Sequence, residues 1–281
     1  MNINEVETSR CTGDDTQAEL EQALARIARL EQTNARLRQF VPGSVRRLIE
    51  TAPDAALLAK HDMDLSVMFL DVEGYTALSD RSAPQRLAEL IELYFARFVD
   101  AIHEQGGEVT ETAGDGMMAL FQDRSPCAHA RKAARAALAI LRRACELRAH
   151  RHAASRLTIN LGIDSGVASV GPRCFAGRLE VRCTYTATGA VTNRAARLQQ
   201  AARGGCAYVS EATARRLSTE FHVSDLGPRA MHNLTTPIRI FRLDELPLGH
   251  NVSVITRERR GQRVVGNVAA ARLSAVRRHG S

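Results

Sequence analysis

Three features of the sequence predict a mixed α/β or α+β domain led by an N-terminal helix. Short apolar runs such as LSVMFLD (residues 65–71) have the length and composition of buried strands. They alternate with two long helical patterns, residues 84–105 and 127–150. Ahead of them lies a heptad pattern: Leu20, Ile27 and Asn34 fall seven apart, and so do Ala23, Leu30 and Leu37.

The elements follow in order. Residues 1–16 are polar and rich in Asp, Glu and Thr, and read as a flexible arm. Residues 17–40 form the heptad helix, in which Asn34 at one a position favours a parallel two-stranded coil. Without a partner the same stripe would pack on the domain as a lone amphipathic helix. The run Phe40-Val41-Pro42-Gly43 ends that helix, and residues 41–61 form a linker with a short helix at 44–50 before Pro53. The domain itself spans 62–247. After the first strand and the first long helix, residues 108–111 and 117–121 read as two strands joined by the turn Ala113-Gly114-Asp115-Gly116. The second long helix is followed by a strand at 157–165, with 167–170 returning beside it. A strand at 182–186, a helix at 191–202, a strand at 207–209, a helix at 211–217 and a strand at 238–242 complete the domain.

Hydrophobic residues make up 44% of the 281, enough for a substantial core, but Trp is absent, so Leu, Ala, Val and Ile must build it. The net charge of +7 is concentrated at the end. Residues 250–281 hold seven Arg and one Glu, which leaves +1 for the rest. A basic nucleic-acid groove in the body is therefore not indicated, and no DNA or RNA partner is expected. The tail, 248–281, reads as a solvated basic segment capable at most of weak anionic contacts. The six Cys are scattered without CxxC or Cys/His metal spacing, which fits reduced thiols and a cytoplasmic location. No apolar stretch is long enough to span a bilayer, so a soluble chain is expected.

The candidate chemistry begins with two acids. Asp71 ends the apolar strand, and Asp115 sits in the Gly-Asp-Gly turn between two others. Carboxylates so placed can converge on a divalent cation such as Mg²⁺, which takes hard oxygen ligands together with substrate phosphates. The turn at Gly74, leading into Tyr75 and Thr76, offers backbone N–H groups to phosphate oxygens. Taken singly, Asp71 also reads as a cap and Asp115 as an ordinary hairpin residue. Asn193 and Arg197 are four apart on one helix, hence on one face. An Asn there can orient a ribose, and an Arg can neutralise charge on a phosphate in flight. The plain alternative is a polar surface pair.

Three segments, FLDVEGYT (69–76), ETAGDGMMALF (111–121) and YTATGAVTNRAARL (185–198), resemble the ordered signature blocks of class III nucleotide cyclases. NLGIDSGVASVG (160–171) resembles the strand pair between the last two blocks, and 225–243 the closing hairpin. The resemblance covers about 62–246 and implies an α+β, ferredoxin-like palm working as a homodimer. It implies two Mg²⁺ or Mn²⁺ ions on Asp71, Asp115 and the Val72 carbonyl. Asn193 and Arg197 would then come from the second copy. The substrate would be ATP or GTP and the product its 3′,5′-cyclic monophosphate.

The pattern also departs from the family. Adenylate-specific members place a Lys where this chain has Glu111, and Glu is what guanylate cyclases use there. The partner position, Thr186, points the other way, to ATP. His232 stands where a triphosphate-binding Lys is expected. Glu111 and His232 together support the alternative of a catalytically impaired, cyclase-like module that binds nucleotide or dimerises in signalling.

Overall fold

A computed structural model describes residues 3–51, 59–149, 156–217, 220–231 and 236–244. His232, the middle of the linker and the basic tail lie outside the described residues.

The N-terminal helix α1 (Ile3–Leu37) is longer than the heptad reading required. The expected loose arm at 1–16 is helical from Ile3. No Pro precedes Pro42 and Gly13 is the only glycine before Gly43, so nothing stops the hydrogen-bond ladder from propagating backwards. A 3₁₀ turn (Arg38–Phe40) and α2 (Gly43–Thr51) follow.

The domain is one mixed sheet with helices on both faces. Strands β1 (His61–Val72), β2 (Gly107–Ala113), β3 (Gly116–Gln122), β4 (Ile159–Ala176), β6 (Ala207–Ser210), β7 (His222–Arg229) and β8 (Ile238–Asp244) lie in the order β2-β3-β1-β4-β6-β8-β7. Strand β5 (Val181–Thr188) pairs with the far half of β4. Only β4 and β6 run parallel among these pairs; the rest are antiparallel. The helices are α3 (Tyr75–Ser79), α4 (Pro84–Glu104), α5 (Pro126–Ala149), α6 (Ala190–Ala201) and α7 (Glu211–Arg216).

Strand alternation divides β1 between two cores. Met68, Leu70 and Val72 point to one face, where they meet α4 and α5. On α4 the buried residues Leu87, Leu90, Tyr94, Phe98 and Ala101 recur at helical spacing. The matching face of α5 is mostly Ala (Ala130, Ala133, Ala137), which lets its backbone approach the sheet without Trp-sized side chains. Leu65 and Val67 point to the opposite face, with Met118, Leu120, Ala187, Val191 and Ala195. Asp71 has the parity of that second set, so the strand pattern turns it toward the α6 face.

Two further expectations are corrected. Residues 167–170 do not return beside 157–165. They continue one strand of 18 residues, because β1 pairs with it from Val72↔Ile159 to His61↔Val170 and β5 pairs with it from there to Ala176. The cysteines are not all unpaired thiols: Cys174 and Cys183 form a disulfide. The hairpin register sets them directly opposite each other, although they are nine apart in sequence. Among the described residues, no helix is long and apolar enough to cross a membrane.

Candidate active site

The two predicted acids come together. Asp71 is next to the last residue of β1, and its cross-strand partners are Gly116 on β3 and Asn160 on β4. Asp115 is the half-buried tip of the neighbouring hairpin, where Gly114 takes φ 59°, a left-handed turn conformation suited to glycine. The Asp71 and Asp115 carboxyls lie close enough to act on each other. Partial burial and the charge of Asp115 raise the Asp71 pKa from 3.8 to about 6, against the pull of hydrogen bonds from the Gln199 side chain and the Val72 N–H.

Two carboxylates held against their own repulsion are a fitting site for a divalent cation. Among the described residues no third His, Cys, Asp or Glu completes a cluster. A metal bound here would draw its remaining ligands from backbone carbonyl, water and substrate oxygens, the sphere Mg²⁺ favours.

The loop after Asp71 is pinned from outside. Gly74 (φ 72°) caps α3, and the Leu78 N–H donates to its carbonyl at 3.1 Å. Glu73 Oε2 accepts from Asn160 Nδ2 at 2.9 Å and from the Gly204 N–H at 2.7 Å, and these bonds hold its carboxyl below the usual range. Asn160 Oδ1 in turn accepts from the Gly205 N–H at 3.0 Å. Tyr75 is half-buried against the core, so it serves the loop as packing and backbone, while Thr76 is exposed.

Glu111 lies on β2 just beyond a bulge between Val109 and Glu111, and it is exposed. It lines a cavity of about 990 Å³ between β2 and the linker residues Arg46 and Arg47. Two buried polar atoms around that cavity, Arg46 Nε and Thr110 Oγ1, have no hydrogen-bond partner among the described residues. Thr186 differs: it is 3% exposed, and its hydroxyl donates to the Ala187 carbonyl at 3.4 Å. No hydrogen bond among the described residues joins Thr186 to Glu111.

Helix α6 carries the last pair. Gly162 on β4 lets it pack backbone to backbone, since a Cβ at that position would stand 2.1 Å from the Gln199 nitrogen. Gln199 therefore reaches its own chain's Asp71. Asn193 is exposed, and Arg197 donates to Gln200 Oε1 at 2.6 Å. The described hydrogen bonds tie neither of them to Asp71 or Asp115. Gln199, Glu73 and Asn160 escaped sequence reasoning. The Glu within DVEG and the Asn opening NLGID were available signals, but Gln199 becomes a neighbour only through the packing at Gly162.

An adenylate cyclase from Anabaena cylindrica is 28% identical over 158 residues, 55% of this chain and 31% of that protein. A receptor-type guanylate cyclase from Caenorhabditis elegans is 29% identical over 154 residues, 52% of this chain and 14% of that one. The chain thus spans less than a third of either relative. The crystal structure of an adenylyl cyclase from P. aeruginosa superposes with TM-score 0.61 at 25% identity, covering 68% of this chain and 98% of that one. A guanylate cyclase domain from Catenaria anguillulae in complex with GTP shares the fold at TM-score 0.56 and 18% identity, covering 66% and 98%. The family model described as "Adenylate and Guanylate cyclase catalytic domain" matches residues 58–243, and the chain belongs to that family.

Proposed function

We propose that this chain is a nucleotide cyclase that converts ATP or GTP to the 3′,5′-cyclic monophosphate and pyrophosphate, at a site completed by a second copy. The observation that carries the reading is the meeting of Asp71 and Asp115 at one end of β1.

In this mechanism the ribose 3′-oxygen attacks the α-phosphorus, the bond to the β-phosphate oxygen breaks, and the 3′-hydroxyl proton is lost to solvent. Two bound Mg²⁺ or Mn²⁺ ions would supply Lewis-acid chemistry, withdrawing charge from the triphosphate and acidifying the 3′-hydroxyl. Asp71, Asp115 and the Val72 carbonyl would hold those ions. Backbone N–H groups of the 74–76 turn face the phosphates, and the Glu73–Asn160 bond keeps that turn in place. Asn193 orients the ribose and Arg197 balances charge on the phosphorane-like transition state. Glu111 accepts from the N1–H and exocyclic amine of guanine, which favours GTP. Buried Thr186 acts at most beside it, and His232 would touch the triphosphate from the closing hairpin.

Two observations support a homodimer. Asn193 is exposed and unlinked to the acids of its own chain. Helix α1 also leaves Leu20, Ile27, Leu30 and Leu37 each more than half exposed along the heptad seam.

The test is a product assay with ATP and GTP side by side in Mn²⁺, on wild type, Asp71→Ala and Glu111→Lys. Cyclic product that vanishes in Asp71→Ala supports the enzyme, and a rise in cyclic AMP relative to cyclic GMP in Glu111→Lys supports the base assignment. Nucleotide binding with no turnover in the wild type would support a cyclase-like binding module instead.

A further inference from the structure

The carboxylate of Asp164 is wholly buried on β4, and it binds the helix that carries Asn193 and Arg197. Asp164 Oδ2 accepts from Arg194 Nε at 2.6 Å, and the carboxylate side chain has no solvent exposure against 34% for Arg194. Its other oxygen accepts from the Ser165 N–H at 2.8 Å and from the Ser210 hydroxyl. Ser210 is itself the N-cap of α7, accepting from the Thr213 N–H at 3.1 Å. From Thr213 the chain of hydroxyls runs on through Ser165 Oγ at 2.9 Å to Ser66, and Ser66 Oγ meets His129 Nδ1 at 2.8 Å. Asp164 is thus fixed by the central sheet and by α7 before it touches α6.

A buried carboxylate is expensive to keep unless its partners are in place, and an apolar residue would fill the position more cheaply. What Asp164 supplies is a direction. Arg194 immediately follows Asn193 and lies three residues before Arg197, so the ion pair sits between the two predicted catalytic side chains along α6. Gly162 fixes how near the helix comes to β4. Val191, Ala195 and Leu198 bury the inner face of α6, but such apolar packing is not directional and leaves small rotations and slides of the helix less opposed than a charged hydrogen bond does. The Asp164–Arg194 contact, charged and directional, opposes both.

Resting on the cyclase reading, we propose that Asp164 and Arg194 are positioning residues: their buried ion pair sets the rotation of α6 that aims Asn193 and Arg197 at the reacting nucleotide of the partner site. Small misplacement of such groups costs rate far more than it costs binding.

Arg194→Gln is the informative variant, because it removes the partly exposed member and leaves the bonds of Asp164 to the Ser165 N–H and the Ser210 hydroxyl intact. Steady-state kinetics should give a kcat about 10- to 100-fold below wild type with KM within about threefold, and a thermal unfolding midpoint close to wild type. Arg194→Lys, which keeps a cation within reach, should recover most of the lost kcat. Asn193→Ala serves as the reference. If Asn193→Ala is impaired while Arg194→Gln matches wild type, the positioning role is wrong and the cyclase reading stands. If Asn193→Ala retains full activity, the cyclase reading of α6 itself fails. A loss in Arg194→Gln that appears only as raised KM, or that tracks a fallen unfolding midpoint, also overturns the proposal.

Discussion

The carboxyls of Asp71 and Asp115 meet where the end of β1 pairs beside the tip of the β2–β3 hairpin, and partial burial together with the charge of Asp115 lifts the pKa of Asp71 to about 6. The geometry has consequences for stability, pH and metal binding that can be measured separately from turnover.

The folded-state pKa of Asp71 lies above its ordinary value of 3.8, so the native protein without metal holds this proton more tightly than the unfolded chain. The associated stability is fully present below about pH 4 and is lost as pH rises through about 6. Solvent screening at this half-exposed site limits it to about 1 kcal/mol. Thermal unfolding followed from pH 4.5 to 7.5 should show Asp71→Asn gaining stability relative to wild type as pH rises. Mn²⁺ at pH 7.5 should raise the wild-type midpoint and leave that of Asp71→Asn unchanged. Equal Mn²⁺ shifts in both proteins would place the ion elsewhere.

Gly162 has no room for a side chain, since an added Cβ would stand 2.1 Å from the Gln199 nitrogen and 2.3 Å from the Ala195 oxygen. Gly162→Ala should therefore push α6 off β4, cost about 1–3 kcal/mol in chemical denaturation, and lower kcat by more than tenfold. A variant of wild-type stability and activity would mean that the close packing is not maintained in solution.

The sequence carried the chemistry of individual positions better than their mutual geometry. Asp71 and Asp115 were readable because one closes an apolar run and the other sits in a Gly-Asp-Gly turn. Asn193 and Arg197 were readable as a pair because helical spacing alone puts them on one face. Gln199, Asp164 and Asn160 were not, because each gains its role only when α6, β4 and the 203–205 turn are packed together. The Cys174–Cys183 pair was hidden for a related reason: it depends on hairpin register, which strand length and a neighbouring template decide. The long β4 shows that template directly, since pairing with β1 carried the strand straight through Gly166, where local composition had indicated a return.

The exposed seam of α1 predicts concentration-dependent behaviour. Ile27→Asp combined with Leu30→Asp would set charges where Ile27 is 51% and Leu30 is 59% exposed on the single chain. Sedimentation at micromolar concentration should show dimer for wild type and a shift toward monomer for the double variant. Specific activity of the variant should rise with protein concentration. A wild type that sediments as monomer at every concentration would remove the seam from the account.

The most direct test mixes two defective proteins. Asp71→Asn lacks one half of the site and Arg197→Ala the other, so each alone should make almost no cyclic nucleotide. After co-expression or subunit exchange, mixed dimers contain one intact site, and random pairing should restore about a quarter of wild-type activity. Recovery near that level would establish that the acids of one chain work with α6 of another. No recovery on mixing, with mixed dimers demonstrated by differential tagging, would contradict the shared site.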